Sequence, residues 1–221
     1  MKKKITLYLL FLMSVAKGYA QQDKINISII GGGEWTAIRG ADLDSLSAGG
    51  SVNGLLNIRL GISIDQRFTD RFGLKHDLIY SPTTIELQLR DDAGDIFTSK
   101  LKRRYIQFFP ASPIWYYRGL QVYAGPYISV LMDASIQRRD EQGALYTDHT
   151  IYGDATAEGE YLHKWDAGIA AGINVFIRPK FTAGIRYQRG LVPLMEDSRK
   201  TSQWKLYNQG VTLNMGMYLF R

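Results

Sequence analysis

The feature that most constrains this chain is an alternation of apolar and polar residues at every second position, which recurs in segment after segment beyond residue 52. A β-strand places successive side chains on opposite faces, whereas a helix repeats every 3.6 residues, so the alternation predicts strands with one apolar and one polar face. In residues 52–68, Leu56, Leu60 and Ile64 share a face with two further isoleucines. Four more clear segments are residues 120–133, 164–177, 181–192 and 211–219.

Three weaker segments bring the predicted number of strands to eight, and they are residues 24–36, 72–90 and 100–117. The last contains Pro110 and Pro113, which lack the N–H group that a central strand donates to its neighbour. We therefore expect a bulge or an early strand end at these prolines.

The connections between the segments alternate in length. Three are tight turns, at residues 69–70, 118–119 and 178–180, and the others are longer polar links, at residues 37–51, 91–99, 138–160 and 196–203. Short turns at one end and long loops at the other are typical of outer-membrane barrels. The sequence therefore predicts an all-β fold, an eight-stranded up-and-down antiparallel transmembrane β-barrel, formed as a single domain by residues 21–221.

The first twenty residues have the layout of a secretory signal peptide. Three lysines precede an apolar run, and the small residues Gly18 and Ala20 lie at positions −3 and −1 of a cut before Gln21. The apolar run of about twelve residues is shorter than the ~20 that a spanning helix needs. We expect residues 1–20 to be cleaved at Ala20/Gln21 and the mature chain to be exported to the bacterial outer membrane.

The net charge of +6 lies mostly in this segment. Lys2, Lys3, Lys4 and Lys17 are four of the 27 basic residues, so 23 basic residues remain against 21 acidic ones. So small an excess gives no reason to expect nucleic acid as a partner. The chain has no Cys, so it forms no disulfides and carries no lipid anchor on an N-terminal Cys.

Alternation alone does not say whether the apolar face points into a core or out to lipid. A soluble periplasmic barrel that binds an apolar ligand has the same period with its apolar face inside, and it remains the alternative. The polar faces mix Gly, Ser and Asn with both signs of charge, which suits a narrow lumen and favours the membrane barrel. Aromatic residues near the strand ends could form its interfacial girdles; they are Phe68, Phe72, Tyr80, Tyr116, Trp165, Phe181 and Tyr187.

If the apolar face is outside, the polar faces place five acidic and six basic side chains in the lumen. They are Glu34, Arg59, Asp65, Arg67, Lys75, Asp77, Arg103, Asp133, Lys164, Asp166 and Arg186. An eight-stranded barrel is just wide enough for side chains to fill it. We therefore expect these charges to pair into a closed polar lumen rather than to line a conducting pore.

One residue is a candidate for catalysis, His76. It is predicted to lie on the same strand face as Thr84 and Glu86, because all three are at even-numbered positions. A His/Glu/Thr cluster on the barrel surface would suit an outer-membrane lipid-modifying enzyme, the second alternative. The favoured interpretation is an interfacial His without catalytic function, because an uncompensated polar group is costly in lipid. No cofactor or metal site is expected: the acids of residues 138–160 lack the spacing of a calcium loop, and the glycines of residues 31–33 lack a phosphate loop's Lys-Ser/Thr.

Two basic runs flank long loops, Lys102-Arg103-Arg104 and Arg138-Arg139. At the membrane surface they could pair with the phosphates of lipopolysaccharide. Lipopolysaccharide is therefore a hypothetical partner beside the outer-membrane lipid itself.

Five stretches in order carry a resemblance to a known family: DLIYS from Asp77, YAGPYISVL from Tyr123, DAGIAAGINV from Asp166, GIRYQRGLVPL from Gly184 and LNMGMYLF from Leu213. Together they resemble the PorT-like outer-membrane β-barrel family of Bacteroidetes. The resemblance implies a small barrel inserted by the outer-membrane assembly machinery. One departure is that Tyr218 and Phe220 lie on the opposite parity to the apolar face, and a bulge near Gly216 would restore the register.

The function that these expectations favour is non-enzymatic. We expect a monomeric integral outer-membrane barrel with a structural or recognition role carried by its surface loops, of which residues 138–160 form the longest.

Overall fold

The computed structural model describes residues 24–48, 52–91, 94–140, 142–151, 160–197 and 205–220, so the expected signal peptide and its cut lie outside the described residues. Almost all of the described residues are in strands. The elements are β1 (Lys24–Gly40), α1 (Leu43–Leu46), β2 (Val52–Gly54), β3 (Leu56–Arg67), β4 (Phe72–Arg90), β5 (Ile96–Tyr117), β6 (Leu120–Arg139), β7 (Leu145–Asp148), β8 (Glu160–Leu162), β9 (Trp165–Arg178), β10 (Phe181–Gly190), β11 (Met195–Asp197) and β12 (Leu206–Phe220). No helix in these ranges is long and apolar enough to cross a membrane.

Eight of the strands form a closed ring. Strands β1, β3, β4, β5, β6, β9, β10 and β12 each pair antiparallel with the next, and β12 pairs with β1 to close the ring. Each ring strand corresponds to one of the eight predicted segments. The eight-stranded up-and-down barrel is therefore confirmed.

The two ends of the ring differ, because all three connections at one end are turns of two to four residues, whereas at the other end only the β4–β5 connection, residues 91–95, is short. In the turn between β5 and β6, Arg118 has φ 46° and Gly119 has φ 86°. Positive φ at both central residues is the type I′ geometry, whose twist matches that of the flanking strands. At the opposite end, β2 pairs with β4, β7 pairs with β6, and β8 pairs with β11. The long-loop end thus continues the wall as an ordered sheet.

The wall is irregular where the sequence has its two prolines. The pairing of β5 with β6 shifts register between Phe108 and Ile114, the segment that contains Pro110 and Pro113. The strand continues to Tyr117. The expected bulge is confirmed, whereas an early strand end at this point would be wrong.

The outer face of the ring is aliphatic, and the inner face is polar over most of its height. On β3, Leu56, Ile58, Leu60, Ile62 and Ile64 are all exposed, and the same pattern holds on the other ring strands. A soluble barrel has the reverse arrangement. An exposed apolar surface of this extent requires a lipid environment.

Closure predicts resistance to detergent. A closed ladder has no free strand edge from which the wall can unzip, so we expect the protein to stay folded in cold dodecyl sulfate and to unfold on boiling. Unboiled and boiled samples of the membrane fraction, compared on a denaturing gel, should therefore differ in mobility. Identical mobilities, with the protein recovered in a soluble fraction, would contradict a membrane barrel.

Candidate functional site

The lumen is the first candidate site. Eight of the eleven predicted lumen charges are buried inside the ring: Glu34, Arg59, Asp65, Lys75, Asp77, Arg103, Asp166 and Arg186. They come from the inward faces of six ring strands, so only closure of the barrel brings them together. Their contacts divide into three groups, of which two lie side by side and the third lies nearer the long-loop end.

The group nearest the tight turns is a chain of alternating charges. The Lys75 Nζ atom lies 3.1 Å from Asp65 Oδ1 and 3.4 Å from Asp77 Oδ1, and Asp77 in turn pairs with Arg186. Arg186 also donates from Nε to the Tyr123 hydroxyl at 3.1 Å and stacks over Phe109, 4.4 Å from the ring centroid. Each buried charge therefore has an opposite charge beside it, which is the condition for burying ions without a large cost.

Tyr218 extends this chain toward the opposite wall. Its hydroxyl donates to Asp65 and accepts from Gln121 Nε2 at 2.8 Å, and Gln121 accepts from Asn174. The side chain of Tyr218 is buried in the lumen, and Gly216 keeps its inward orientation. The expected bulge lies three residues beyond Gly216, at Leu219, and it brings Phe220 opposite Ile27. Tyr218, before the bulge, is on the polar parity because it belongs to the lumen network. The shift in the pairing of β12 with β1 lies closer to the end, between Ile27 and Ser28.

A second ion pair lies beside the first chain. Arg59 Nη1 is 3.2 Å from Glu34 Oε1 and donates to Thr212 Oγ1 at 2.9 Å, while its Nη2 atom donates to Gln107. Ser81 donates to the other carboxylate oxygen of Glu34. Both charged groups are buried and both have several partners, so the pair is a fixed cross-link between strands.

The third group lies highest in the polar lumen and has no direct ion pair. Arg103 donates to Asn208 Oδ1 at 2.6 Å, and Asn208 donates to Asp166 Oδ2 at 3.0 Å. Tyr127 donates to the same carboxylate oxygen at 3.2 Å. Asn208 therefore relays the interaction between the Arg103 cation and the Asp166 anion.

Two glycines make room for the lumen tyrosines. Gly172 lies directly opposite Tyr123, and Gly168 directly opposite Tyr127. A Cβ atom at Gly168 would come within 2.8 Å of the Tyr127 ring, and one at Gly172 would collide with the Tyr123 hydroxyl. The Gly-x-x-x-Gly spacing in β9 and the Tyr-x-x-x-Tyr spacing in β6 are thus complementary, and two large rings fill the width of the lumen.

Three predicted lumen residues differ from expectation. Asp133 lies on the outer surface, where its carboxylate is 3.4 Å from Arg104, because the β5–β6 pairing shifts register between Arg104 and Tyr105 and turns Asp133 outward. Lys164 precedes β9 and is exposed. Arg67 is half-buried at the end of β3, with its guanidinium 4.1 Å from the ring centroid of Tyr116. Tyr116 is itself buried, so it does not belong to the aromatic girdle.

Above the polar groups, the lumen is closed by an apolar cap that the sequence analysis did not predict. The cap comprises buried residues of the strands and of the connections: Ile38, Ile85, Leu87, Leu101, Tyr105, Leu131, Ala134, Ile136, Ile151, Leu162, Leu194, Met195 and Leu206. Leu43 and Leu46 of α1 pack against it. The long-loop end is therefore built like a soluble barrel, with an apolar interior beneath its connections.

The signal for the apolar cap is present in the sequence of β4. Outward residues such as Leu78 and Tyr80 are at even positions, yet beyond them the apolar residues Ile85 and Leu87 are at odd positions, with no bulge between. The apolar residues change face because the surroundings change from lipid to water. A change of parity within one strand thus marks the edge of the membrane.

Little space remains inside the ring. A cavity lined by Lys75, Tyr123 and Arg186, among others, has a volume of about 10 Å³. That is about the smallest space that can hold one water molecule. Side chains, rather than an aqueous path, fill this part of the lumen.

The candidate catalytic residues do not form a cluster. His76 is half-buried on the outer face, and its Nδ1 atom contacts the carbonyl oxygen of Pro110. Glu86 is ten residues along the same strand, ~33 Å away at ~3.3 Å per residue, and pairs with Lys100 at 3.8 Å. His76 and Glu86 are therefore too far apart to act on one substrate group. In the described part of the chain, no group of three or more His, Asp or Glu residues could hold a metal ion.

The outer face of the wall above the membrane is the second candidate site. In the first basic run, Arg103 points into the lumen. In the second, Arg138 and Arg139 each pair with an acidic residue. Arg138 Nε is 2.7 Å from Asp148 Oδ2, and Arg139 is 3.5 Å from Asp91. Burial alone would raise the pKa of Asp148, but hydrogen bonds from Thr150 and Arg138 outweigh it and hold that pKa below its ordinary value. The loop arginines are thus engaged within the protein.

A basic stripe on β5 remains available. The stripe consists of Lys100, Lys102 and Arg104, which lie on the outward face of β5. It is farther from the tight-turn end than the lipid-facing residues Ile106 and Phe108 of the same strand. Lys100 and Arg104 each have one acidic neighbour, in exposed pairs of 3.8 and 3.4 Å. This basic stripe lies where the apolar belt of the wall ends.

A closed ring of eight antiparallel strands, apolar outside and filled with paired charges inside, defines an integral membrane β-barrel of the outer-membrane kind. The family model described as "Outer membrane protein beta-barrel domain" matches residues 19–196, and the chain belongs to this family. Among curated proteins, none matches the chain.

Several solved structures are similar to this chain. Ail, the attachment invasion locus protein of Yersinia pestis, solved in complex with the heparin analogue sucrose octasulfate, is 10% identical over 89% of this chain and 99% of its own, with a TM-score of 0.46. OprG from Pseudomonas aeruginosa is 13% identical over 89% and 97%, with a TM-score of 0.45. Neisserial surface protein A is 11% identical over 89% and 99%, with a TM-score of 0.44.

Proposed function

We propose that this outer-membrane barrel is a non-enzymatic, non-conducting protein that presents a rigid recognition surface outside the membrane. The observation that carries the proposal is the double closure of its lumen. Three polar groups fill the membrane-spanning part, and the apolar cap covers them at the long-loop end. Outer-membrane barrels place their long loops outside the cell, so the apolar cap faces the exterior.

The double closure also supports the recognition role. The sheet formed by β2, β4, β5, β6 and β7 continues beyond the membrane, and the apolar cap fixes it from within. Binding residues placed on a rigid scaffold lose little entropy when a partner binds. The segment expected to be the longest loop is partly built into this scaffold as β7, while residue 141 and residues 152–159 lie outside the described ranges. The exposed Leu145 and Tyr146 of β7 are suited to contact a partner.

Several finer features belong to the same proposal. We place the chain in the PorT-like branch of the outer-membrane barrels, on the five sequence stretches that resemble it. We also propose export by a signal peptide cut at Ala20/Gln21, on the pattern of the first twenty residues, and a monomeric state. Insertion by the outer-membrane assembly machinery follows from the family resemblance. The partners proposed for the outer face of the wall, where the apolar belt ends, are the outer-membrane lipid and lipopolysaccharide.

Conductance across a planar bilayer tests the closure. Since we propose that side chains fill the lumen, the reconstituted protein is expected to give no stepwise current at moderate voltage. A general porin inserted into the same bilayers serves as the positive control. Reproducible unitary conductance of the folded protein would contradict the proposal.

A further inference from the structure

The basic stripe lies at a defined level relative to the membrane. On the three neighbouring strands β4, β5 and β6, the last apolar rung consists of the directly paired residues Tyr80, Ile106 and Val130. The next outward rung is Pro82, Arg104 and Asp133. On β5 the outward face thus changes from apolar to charged between Ile106 and Arg104, and on β6 it does so after the exposed Met132, at the register shift. The outer edge of the bilayer core therefore lies between Ile106 and Arg104 on β5.

Lys102 occupies the following rung. It is four residues beyond Ile106, which is ~10 Å in height for a strand that rises ~3.3 Å per residue at a tilt of ~40°. The headgroup layer begins at the edge of the apolar core and is several ångströms thick. A lysine side chain on this rung therefore reaches the level at which the phosphates of outer-leaflet lipids lie.

The neighbours of Lys102 suit a phosphate group. Thr84 on β4 lies directly opposite it at the ~5 Å spacing of cross-strand pairs and is half-buried, whereas Ser135, its partner on β6, is buried. Among the described residues, Lys102 has no acidic partner, and Lys100 and Arg104 flank it along β5. Lys102 and the Thr84 hydroxyl can donate hydrogen bonds to the oxygen atoms of a dianion. The two flanking cations, each with one acidic neighbour in an exposed pair, add to the attraction.

We propose that Lys102, flanked by Lys100, Arg104 and Thr84, forms a binding site for a phosphate group of an outer-leaflet glycolipid such as lipopolysaccharide. This site rests on the proposed function, because the proposed function places the long-loop end outside the cell. The apolar rung of Tyr80 and Ile106 directly below would contact the acyl chains of the same molecule. Contact with both parts selects a phosphorylated lipid over a free anion.

The experiment compares four ligands and two lysine variants in phosphatidylcholine bilayer discs. The ligands are phosphorylated lipopolysaccharide, the same material after enzymatic dephosphorylation, inorganic phosphate and sulfate. We expect the phosphorylated form to bind about tenfold more tightly than the dephosphorylated form, and K102Q to remove that difference, as the loss of one charge-assisted hydrogen bond predicts. The matched control is K180Q, an exposed lysine at the tight-turn end, which should bind as the unaltered protein does.

Three results would overturn the site: equal affinity for the two lipopolysaccharide forms, an unchanged affinity in K102Q, or the same loss in K180Q. Competition by inorganic phosphate at micromolar concentration would show that a free anion, rather than a lipid, is the ligand. Heat modifiability and bilayer current are measured on K102Q in parallel. A folded, non-conducting K102Q with unchanged lipid binding disproves the site alone, whereas a conducting protein disproves the proposed closure.

Discussion

Replacement of Ile62 by Arg is expected to destabilise the folded barrel by about 2–4 kcal/mol, the cost of an arginine at the middle of a bilayer on a lipid-facing barrel position. Ile62 lies halfway between the tight turn after β3 and the outer end of the apolar belt at Leu56, with Ile29 and Leu78 directly opposite. Its side chain is 51% exposed. In the membrane this exposed surface contacts acyl chains, which cannot solvate a guanidinium.

The chain offers a matched control in Ile96, which is also 51% exposed and outward-facing but lies above the basic stripe, at the start of β5. I96R should change the free energy of unfolding by less than about 0.5 kcal/mol, as for an ordinary surface substitution. Both variants are measured by urea unfolding of the protein folded into vesicles, with the unfolding slope checked for constancy. Equal costs at the two positions would mean that Ile62 does not face lipid.

The strands were predictable from sequence because the two faces of each ring strand lie in different surroundings. Lipid on one side and a polar lumen on the other impose a period of two on every ring strand, as the residues from Leu56 to Ile64 show. Alternating connection lengths then fixed the order of the strands. For the same reason most of the lumen charges, such as Arg59 and Asp77, could be placed before their partners were known.

The lumen residues were misplaced for three separate reasons, the first of which is that assigning faces by alternate positions assumes an unbroken register. One extra residue in the β6 wall turns Asp133 outward, and the sequence around it gives no proline or glycine signal for the bulge. Lys164 was counted into β9, although that strand begins at Trp165. Which charges pair also could not be derived, because Asp77 meets Arg186 only through ring closure, 109 residues apart in the chain.

The apolar cap was missed for a different reason. Its strand residues lie on the same face as the lumen residues but are apolar, as in a soluble core. A prediction that assigns one environment to each strand cannot distinguish the two. Ile85 and Leu87 follow Asp77 on the inward face of β4, so one strand passes from the membrane into water. Strands longer than the ~9–11 residues that cross a bilayer, here β4 with 19 and β5 with 22, indicate such a passage.

Replacement of Asp77 by Asn is expected to have the largest effect in the lumen, a destabilisation of about 3–5 kcal/mol, as is usual when one partner of a buried ion pair is removed. Asp77 lies between two cations, Lys75 and Arg186. Without it, Lys75 still has Asp65, but Arg186 loses its only ion-pair partner among the described residues and retains the Tyr123 hydroxyl. The cost arises from a cation left uncompensated in a site that is closed to water.

The double variant D77N/R186M separates this explanation from a general loss of packing. Removing the cation together with its partner leaves the Asp65–Lys75 pair intact, so the double variant should recover at least half of the lost stability, although a second residue has been altered. D148N is the control, because it breaks the exposed Arg138–Asp148 pair and should cost about 1 kcal/mol or less. If D77N/R186M is less stable than D77N, the side chains act through shape rather than charge, and the lumen network does not stabilise the barrel as a set of paired ions.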